Sequence, residues 1–212
     1  LIVFTPAVSL TQEKREQICQ DALKIAKAVD YCNAGTVEFL VDKNGNHYFI
    51  EMNPRIQVEH TVSEMVTGID IVQAQILVAE GYAHDSEEIH IKSQEDVTCN
   101  GYSIQTRVTS EDPANNFLPD TGEMTVYRSG SGNGIRLDGG CAYVGAIVSP
   151  HYDSLLVKII SHDRTFAGAV RKSERALQEM RIRGVKTNIP FLINVLNHPT
   201  FQSGQCYTTF IE

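Results

Sequence analysis

The chain has 212 residues, 42% of them hydrophobic and 21% charged, with a formal net charge of −8. That is ordinary globular material, long enough for one large or two small cores, and the acidic balance without a Lys/Arg run argues against a nucleic-acid surface. Cys19, Cys32, Cys99, Cys141 and Cys206 are odd in number and lack C-x-x-C spacing, which suits small buried thiols in a reducing cytosol rather than a disulfide framework. No basic segment precedes an apolar run, and no apolar stretch is long enough to cross a membrane. Without an initiator Met, Leu1-Ile2-Val3-Phe4 reads as a strand entered part-way, and the chain is expected to be a piece of a longer parent.

Ser9 or Thr11 can cap a first helix, with Gln12 placed to close a capping box on Ser9. Ile18, Ala22, Ile25, Ala26 and Val29 then follow helical spacing and describe an amphipathic packing element. Two β-rich runs come next, Thr36 to Val41 and His47 to Glu51, with Asn44-Gly45 between them as a strong hairpin signal. If those two residues are the turn, Lys43 faces Asn46 and Glu38 falls opposite Glu51. Facing carboxylates at roughly 5 Å repel. A divalent cation between them removes the conflict, and Glu38, Glu51 and Asn53, which shares the phase of Glu51, form an all-oxygen set suited to Mg²⁺ or Mn²⁺. The alternative is an exposed hairpin face with two solvated glutamates.

Immediately after, Arg55, Gln57 and Glu59 alternate with Ile56 and Val58 at strand period. A cation, an amide and a carboxylate in one row make a polar wall able to grip a small planar anion and move a proton on it. Asp70 caps a second helix whose Ile71, Val72, Ala74, Ile76, Leu77, Val78 and Ala79 predict deep burial before Gly81 ends it. Residues 82 to 100, with Asp85, Glu87, Glu88, Glu95 and Asp96, mark the best domain boundary. Beyond it Tyr102, Ile104, Thr106 and Val108 alternate with Ser103, Gln105, Arg107 and Thr109, a strand with Arg107 on its polar face. Short β-like runs follow around Met124 to Tyr127, Ile135 to Leu137 and Leu155 to Ser161. Gly130-Ser131-Gly132-Asn133-Gly134 matches no phosphate-loop pattern and reads as a hairpin loop. Ala169, Val170, Ala176, Leu177 and Met180 mark a helix stopped by Gly184. A last helix begins near Thr187 or Asn188, with Pro190 in its first turn and Phe191, Leu192, Val195 and Leu196 after it.

Val37-Glu38-Phe39-Leu40 and Phe49-Ile50-Glu51-Met52-Asn53-Pro54-Arg55-Ile56-Gln57-Val58-Glu59-His60 resemble the carboxy-terminal half of the ATP-grasp site of biotin carboxylases. Thr106 to Pro113, Pro119 to Gly122, Tyr127 to Gly130, Gly134 to Asp138 and Ser149 to Lys158 are similar to the pyruvate carboxylase branch of that family. The likeness runs over essentially the whole chain. It implies an α+β fold, with residues 1–97 the carboxy-terminal part of an ATP-grasp domain and 98–212 the biotin carboxylase C-terminal domain. By resemblance, Glu38, Glu51 and Asn53 hold the Mg²⁺ or Mn²⁺ ions that bridge ATP phosphates, and Leu40 packs on adenine. Arg55, Gln57 and the backbone of Val58 bind bicarbonate, Glu59 deprotonates it, and Arg107 stabilises the biotin enolate.

The implied activity is ATP- and bicarbonate-dependent carboxylation of biotin, which in the complete enzyme serves conversion of pyruvate to oxaloacetate. The implied partners are a biotin carrier domain, a carboxyltransferase domain and further copies in a homo-oligomer, in the cytoplasm or a mitochondrial matrix. The family's glycine-rich lid, phosphate-binding lysines and adenine hinge strand match nothing in this sequence, so the isolated chain is expected to be inactive. The sheet begun by Leu1 to Phe4 and the hairpin is expected to keep an open edge. Rival readings are the biotin carboxylase of an acyl-CoA carboxylase, a more distant ATP-grasp ligase such as carbamoyl phosphate synthetase, and a non-catalytic folded interaction module. Arg107 followed by Glu111-Asp112-Pro113 favours a biotin enzyme over carbamoyl phosphate synthetase.

Overall fold

The computed structural model of the chain describes residues 1–211. In chain order its elements are β1 (Ile2–Thr5), α1 (Gln12–Ala28), β2 (Thr36–Val41), β3 (His47–Asn53), α2 (His60–Thr67), α3 (Ile71–Ala79), β4 (Tyr102–Thr109), β5 (Glu111–Asp112), β6 (Leu118–Pro119), β7 (Gly122–Glu123), β8 (Val126–Arg128), β9 (Ile135–Gly139), β10 (Ile147–Val148), β11 (Leu155–Asp163), α4 (Phe166–Glu179), β12 (Arg181–Arg183), α5 (Ile189–Asn197) and α6 (Pro199–Gln202). The architecture is α+β. It forms two compact units, Ala7–Cys99 and, separately, Leu1–Pro6 with the chain from Asn100 onward.

In the Ala7–Cys99 unit, α1 starts at Thr11, whose hydroxyl accepts from the Lys14 N–H at 3.2 Å. The capping box expected on Ser9 does not form, because Thr11 already occupies the cap. Ile18, Ala22, Ile25 and Ala26 make a half-buried stripe, and Asp21 Oδ2 lies 2.8 Å from His47 Nε2, tying α1 to β3. Asp70 caps α3 as expected, accepting from the Gln73 N–H at 2.7 Å. The deep burial expected of α3 is not found: none of its residues is buried, and Val72 and Ile76 are 43% and 56% exposed. Hydrophobicity states what a helix would bury, not how much of it is covered. The short helix α2 was not foreseen. No single helix among the described residues is long and apolar enough to cross a membrane.

The other unit is built on an antiparallel sheet in the order β1-β4-β11-β9. One face carries Ile2, Phe4, Ile104, Val108, Val157, Ile159 and Leu137, and with Ala169, Val170 and Leu177 of α4 it forms the main core. Leu1 to Phe4 was expected to share a sheet with the hairpin. Instead Ile2 to Thr5 pair with β4 from Thr106 back to Ser103, because Phe4 has aromatic partners there, with ring centroids 5.1 Å from Phe166 and 5.8 Å from Phe201. Gly130 to Gly134 is not a hairpin loop: β8 pairs with β12 and β9 with β11, so the loop passes between sheets. Nor does Gly184 stop α4, which ends at Glu179, with Met180 as its C-cap before β12. Gly184 follows that strand at φ +101, where an added Cβ would fall 1.9 Å from the Glu123 carbonyl oxygen. The cysteines expected to be buried are not: Cys19, Cys32, Cys99 and Cys141 are exposed, and all five are free thiols.

The opposite sheet face is polar. Arg107, Lys158 and Asp138 line up across β4, β11 and β9. Lys158 Nζ lies 3.1 Å from Asp138 Oδ2, and Arg136 Nε donates to Asp138 Oδ1 at 2.8 Å. Burial pushes the Asp138 carboxyl up, but the hydrogen bonds and charges of Arg136 and Lys158 outweigh it and hold the group below its ordinary 3.8. A carboxylate depressed in the folded state adds stability that is full above the ordinary value and disappears as the pH falls through the depressed one. Asp138→Asn should therefore cost about 1–3 kcal/mol at pH 7, less than a fully buried pair because Asp138 is partly exposed. Denaturant unfolding should show the gap between variant and wild type closing below roughly pH 4; a constant gap would contradict the assignment.

Candidate functional site

The hairpin places the two carboxylates by a route the sequence does not advertise. Asp42 closes the turn: its N–H donates to the Asn46 carbonyl at 2.8 Å, its carbonyl accepts from Gly45 at 3.0 Å, and its Oδ1 accepts from Asn44 and Asn46 N–H groups at 2.8 Å each. The loop is thus one residue longer than an Asn44-Gly45 turn, and Val41 faces His47. Gly45 sits at φ +81, the left-handed position that such a three-residue loop needs. A bulge then inserts Ile50 into β3 between the Phe39–Phe49 and Glu38–Glu51 pairs. The two shifts cancel, and Glu38 faces Glu51 after all.

Cross-strand pairing puts Thr36, Glu38, Leu40, Tyr48, Glu51 and Asn53 on one face. Phe39 packs edge-on against His47 and Phe49 on the other, with centroids 5.4 and 6.2 Å away. Leu40, 49% exposed, offers an apolar platform beside the acidic pair. Asn53 Nδ2 donates to Glu38 Oε1 at 2.9 Å and to Glu51 Oε1 at 3.1 Å, and Gln57 Nε2 donates to the same Glu38 oxygen at 2.9 Å. Two carboxylates thus converge on the positive end of one amide. That is the donor chemistry a divalent hard cation takes, and turning the Asn53 amide over would offer its oxygen as a third ligand. Among the described residues no group of three or more His, Cys, Asp or Glu side chains converges, so the candidate set stays at two carboxylates and an amide.

The row Arg55, Gln57, Glu59 is not a strand. β3 ends at Asn53, because Pro54 has no N–H for the ladder, and residues 54–59 form an irregular turn into α2. The Arg55 N–H donates to the Asn53 carbonyl at 2.8 Å, and its exposed guanidinium donates from Nη1 to the Ile56 carbonyl at 3.2 Å. Gln57 turns toward Glu38, Val58 is half-buried, and Glu59 is the N-cap residue of α2 without using its side chain for capping. His60, not weighed as a site residue, fixes this turn: its Nδ1 lies 2.7 Å from the Gln57 carbonyl oxygen. The structure therefore gathers Glu38, Glu51, Asn53 and Gln57 into one hydrogen-bonded cluster with Leu40 on the same face. Arg107 belongs to the other unit, half-buried on β4 beside Lys158 of β11.

Residues 105–212 match the biotin carboxylase C-terminal domain, and residues 1–86 match the ATP-binding domain of the carbamoyl-phosphate synthase L chain. This chain belongs to the biotin carboxylase family. Pyruvate carboxylase of Bacillus subtilis is 56% identical over all 212 residues, and that of Pichia angusta 57%. The complete multifunctional pyruvate carboxylase of Rhizobium etli superimposes with a TM-score of 0.96 at 50% identity over the whole chain, which covers 21% of that structure. The biotin carboxylase domain of Hydrogenobacter thermophilus 2-oxoglutarate carboxylase, solved as a dimer with its magnesium ADP salt, ADP and bicarbonate, does so with a TM-score of 0.94 at 42% identity over the whole chain, 45% of that structure. The chain spans 18% of the length of the curated relatives named here.

Proposed function

We propose that this chain is the metal-, bicarbonate- and biotin-facing part of the biotin carboxylase module of a pyruvate carboxylase. The observation that carries the reading is the bulge-set pair Glu38 and Glu51, bridged by the Asn53 amide. A divalent cation on Glu38, Glu51 and Asn53 would neutralise ATP phosphate charge there. Leu40 would offer adenine its exposed apolar surface. Arg55 supplies the planar, doubly donating cation that suits bicarbonate better than a lysine point charge, with Gln57 and the Val58 backbone as further polar partners. Glu59 takes the bicarbonate proton, without which the anion is too poor a nucleophile to attack the γ-phosphate of ATP. Arg107 stabilises the charge that develops on the ureido oxygen of biotin.

The bicarbonate, ADP and magnesium named for the Hydrogenobacter structure support this set. Pyruvate is favoured as final acceptor because the pyruvate carboxylases of Bacillus subtilis and Pichia angusta are 56% and 57% identical, against 42% for the 2-oxoglutarate enzyme. We assign residues 1–97 to the ATP-grasp domain and 98–212 to the biotin carboxylase C-terminal domain by sequence, although β1 of the former segment pairs with β4 of the latter. The biotin carrier and carboxyltransferase domains belong to a longer parent that works as a homo-oligomer. Five free thiols, four of them exposed, favour a reducing compartment.

A chimera tests the assignment: the matching 212 residues of Bacillus subtilis pyruvate carboxylase are replaced by this chain. Bicarbonate-dependent ADP release and oxaloacetate formation should persist within about tenfold, a change of roughly 1.4 kcal/mol in the barrier. A folded chimera without either activity would contradict the reading.

A further inference from the structure

Asn188 is fully buried and heads α5, yet its side chain makes no cap bond to that helix. The carboxamide lies along β4 instead. Its Nδ2 donates to the Arg107 carbonyl at 2.9 Å, its Oδ1 accepts from the Thr109 N–H at 3.0 Å, and its own N–H donates to the Thr109 carbonyl at 3.2 Å. On the same edge of β4 the Leu1 carbonyl accepts from the Arg107 N–H at 2.9 Å. Asn188 takes up the next bonding position along that edge, from the Arg107 carbonyl to the Thr109 N–H. On the other edge the register with β11 shifts between Leu155 and Val157, so Leu156 bulges opposite Val108 and Thr109. One amide thus completes the backbone bonding of β4 from Arg107 to Thr109, next to the bulge in β11.

We infer that Asn188 is a positioning residue: it fixes the backbone that aims Arg107. The inference rests on the proposed role of Arg107. A charge-stabilising donor works only at short range, and a displacement of about 1 Å can cost on the order of a hundredfold in rate. Removing the Asn188 carboxamide leaves a buried carbonyl and a buried N–H to seek other partners, and the strand must shift to find them. Arg107 moves with it.

In the full-length holoenzyme, the quantity to read is oxaloacetate formed per ADP released in the presence of bicarbonate. Asn188→Ala should lower that ratio about tenfold, and should lower it no further in an Arg107→Ala background. A purely structural role would reduce both activities in proportion and leave the ratio unchanged. Asn188→Ser, which keeps a hydroxyl and the backbone bond to Thr109, guards against loss of the fold: its ratio should fall roughly threefold, and an unchanged ratio overturns the inference. A further fall in the double variant overturns it too. Arg107→Ala run alone separates the two levels. An unchanged ratio there removes the role of Arg107 and this inference with it, whereas a lowered ratio there with proportional losses in both Asn188 variants removes only the inference.

Discussion

Arg107→Ala in the full-length enzyme is expected to cut biotin carboxylation about a hundredfold to a thousandfold while much of the bicarbonate-dependent ATP cleavage survives. The separation follows from when the side chain acts. On the proposed assignment, proton removal from bicarbonate and attack on ATP need the hairpin and the turn after it, whereas negative charge gathers on the ureido oxygen only later. A guanidinium fixed on β4 before the reaction needs no reorganisation at that moment, which is why one oriented donor is worth about 3 to 4 kcal/mol. Parallel assays of ADP release and carboxyl transfer decide it. Equal loss of both would put Arg107 in the ATP or bicarbonate step, or in the fold.

Glu59→Gln should instead stop both activities together, by about a hundredfold to ten-thousandfold, the usual worth of a positioned base. The substitution is nearly isosteric, and Glu59 makes no side-chain cap bond to α2. Losing the attraction between the carboxylate and the helix N-terminus costs the fold roughly 0.3–1 kcal/mol. Steady-state ADP formation with saturating bicarbonate, beside a thermal melt, separates chemistry from stability. ADP formation within threefold of wild type would mean that another group takes the proton.

The acidic pair was legible because hairpin pairing turns a count of residues into a geometry, yet the count succeeded through two compensating departures. Asp42 lengthens the loop by one residue and Ile50 lengthens β3 by one. Neither is visible in an alternation pattern, since bulges follow from local hydrogen bonding and twist. The row from Arg55 to Glu59 was expected on a strand, but Pro54 ends the ladder before it begins. The burial of α3 was overestimated because composition says nothing about which residues cover a helix. Asn188 was seen only as a possible helix start. Its hydrogen bonds reach back 79 and 81 residues, to Thr109 and Arg107, and no short-range signal carries that. The strand nature of residues 102–109 was plain, but the fully buried Ser103, Gln105 and Thr106 make β4 a central strand covered on both faces rather than one with a wet polar side.

The central claim is that Glu38 and Glu51 face each other to hold a cation, and Mn²⁺ binding to the full-length enzyme, followed by electron paramagnetic resonance, tests it most directly. Affinity at such oxygen sites follows the charge count of the ligands, so Glu51→Gln should weaken Mn²⁺ binding by at least about tenfold. Because the substitution also removes one of two facing carboxylates, the metal-free protein should melt no lower than wild type. Weakened binding with an undiminished melting temperature is the predicted result. Equal Mn²⁺ affinity in wild type and variant would contradict the account.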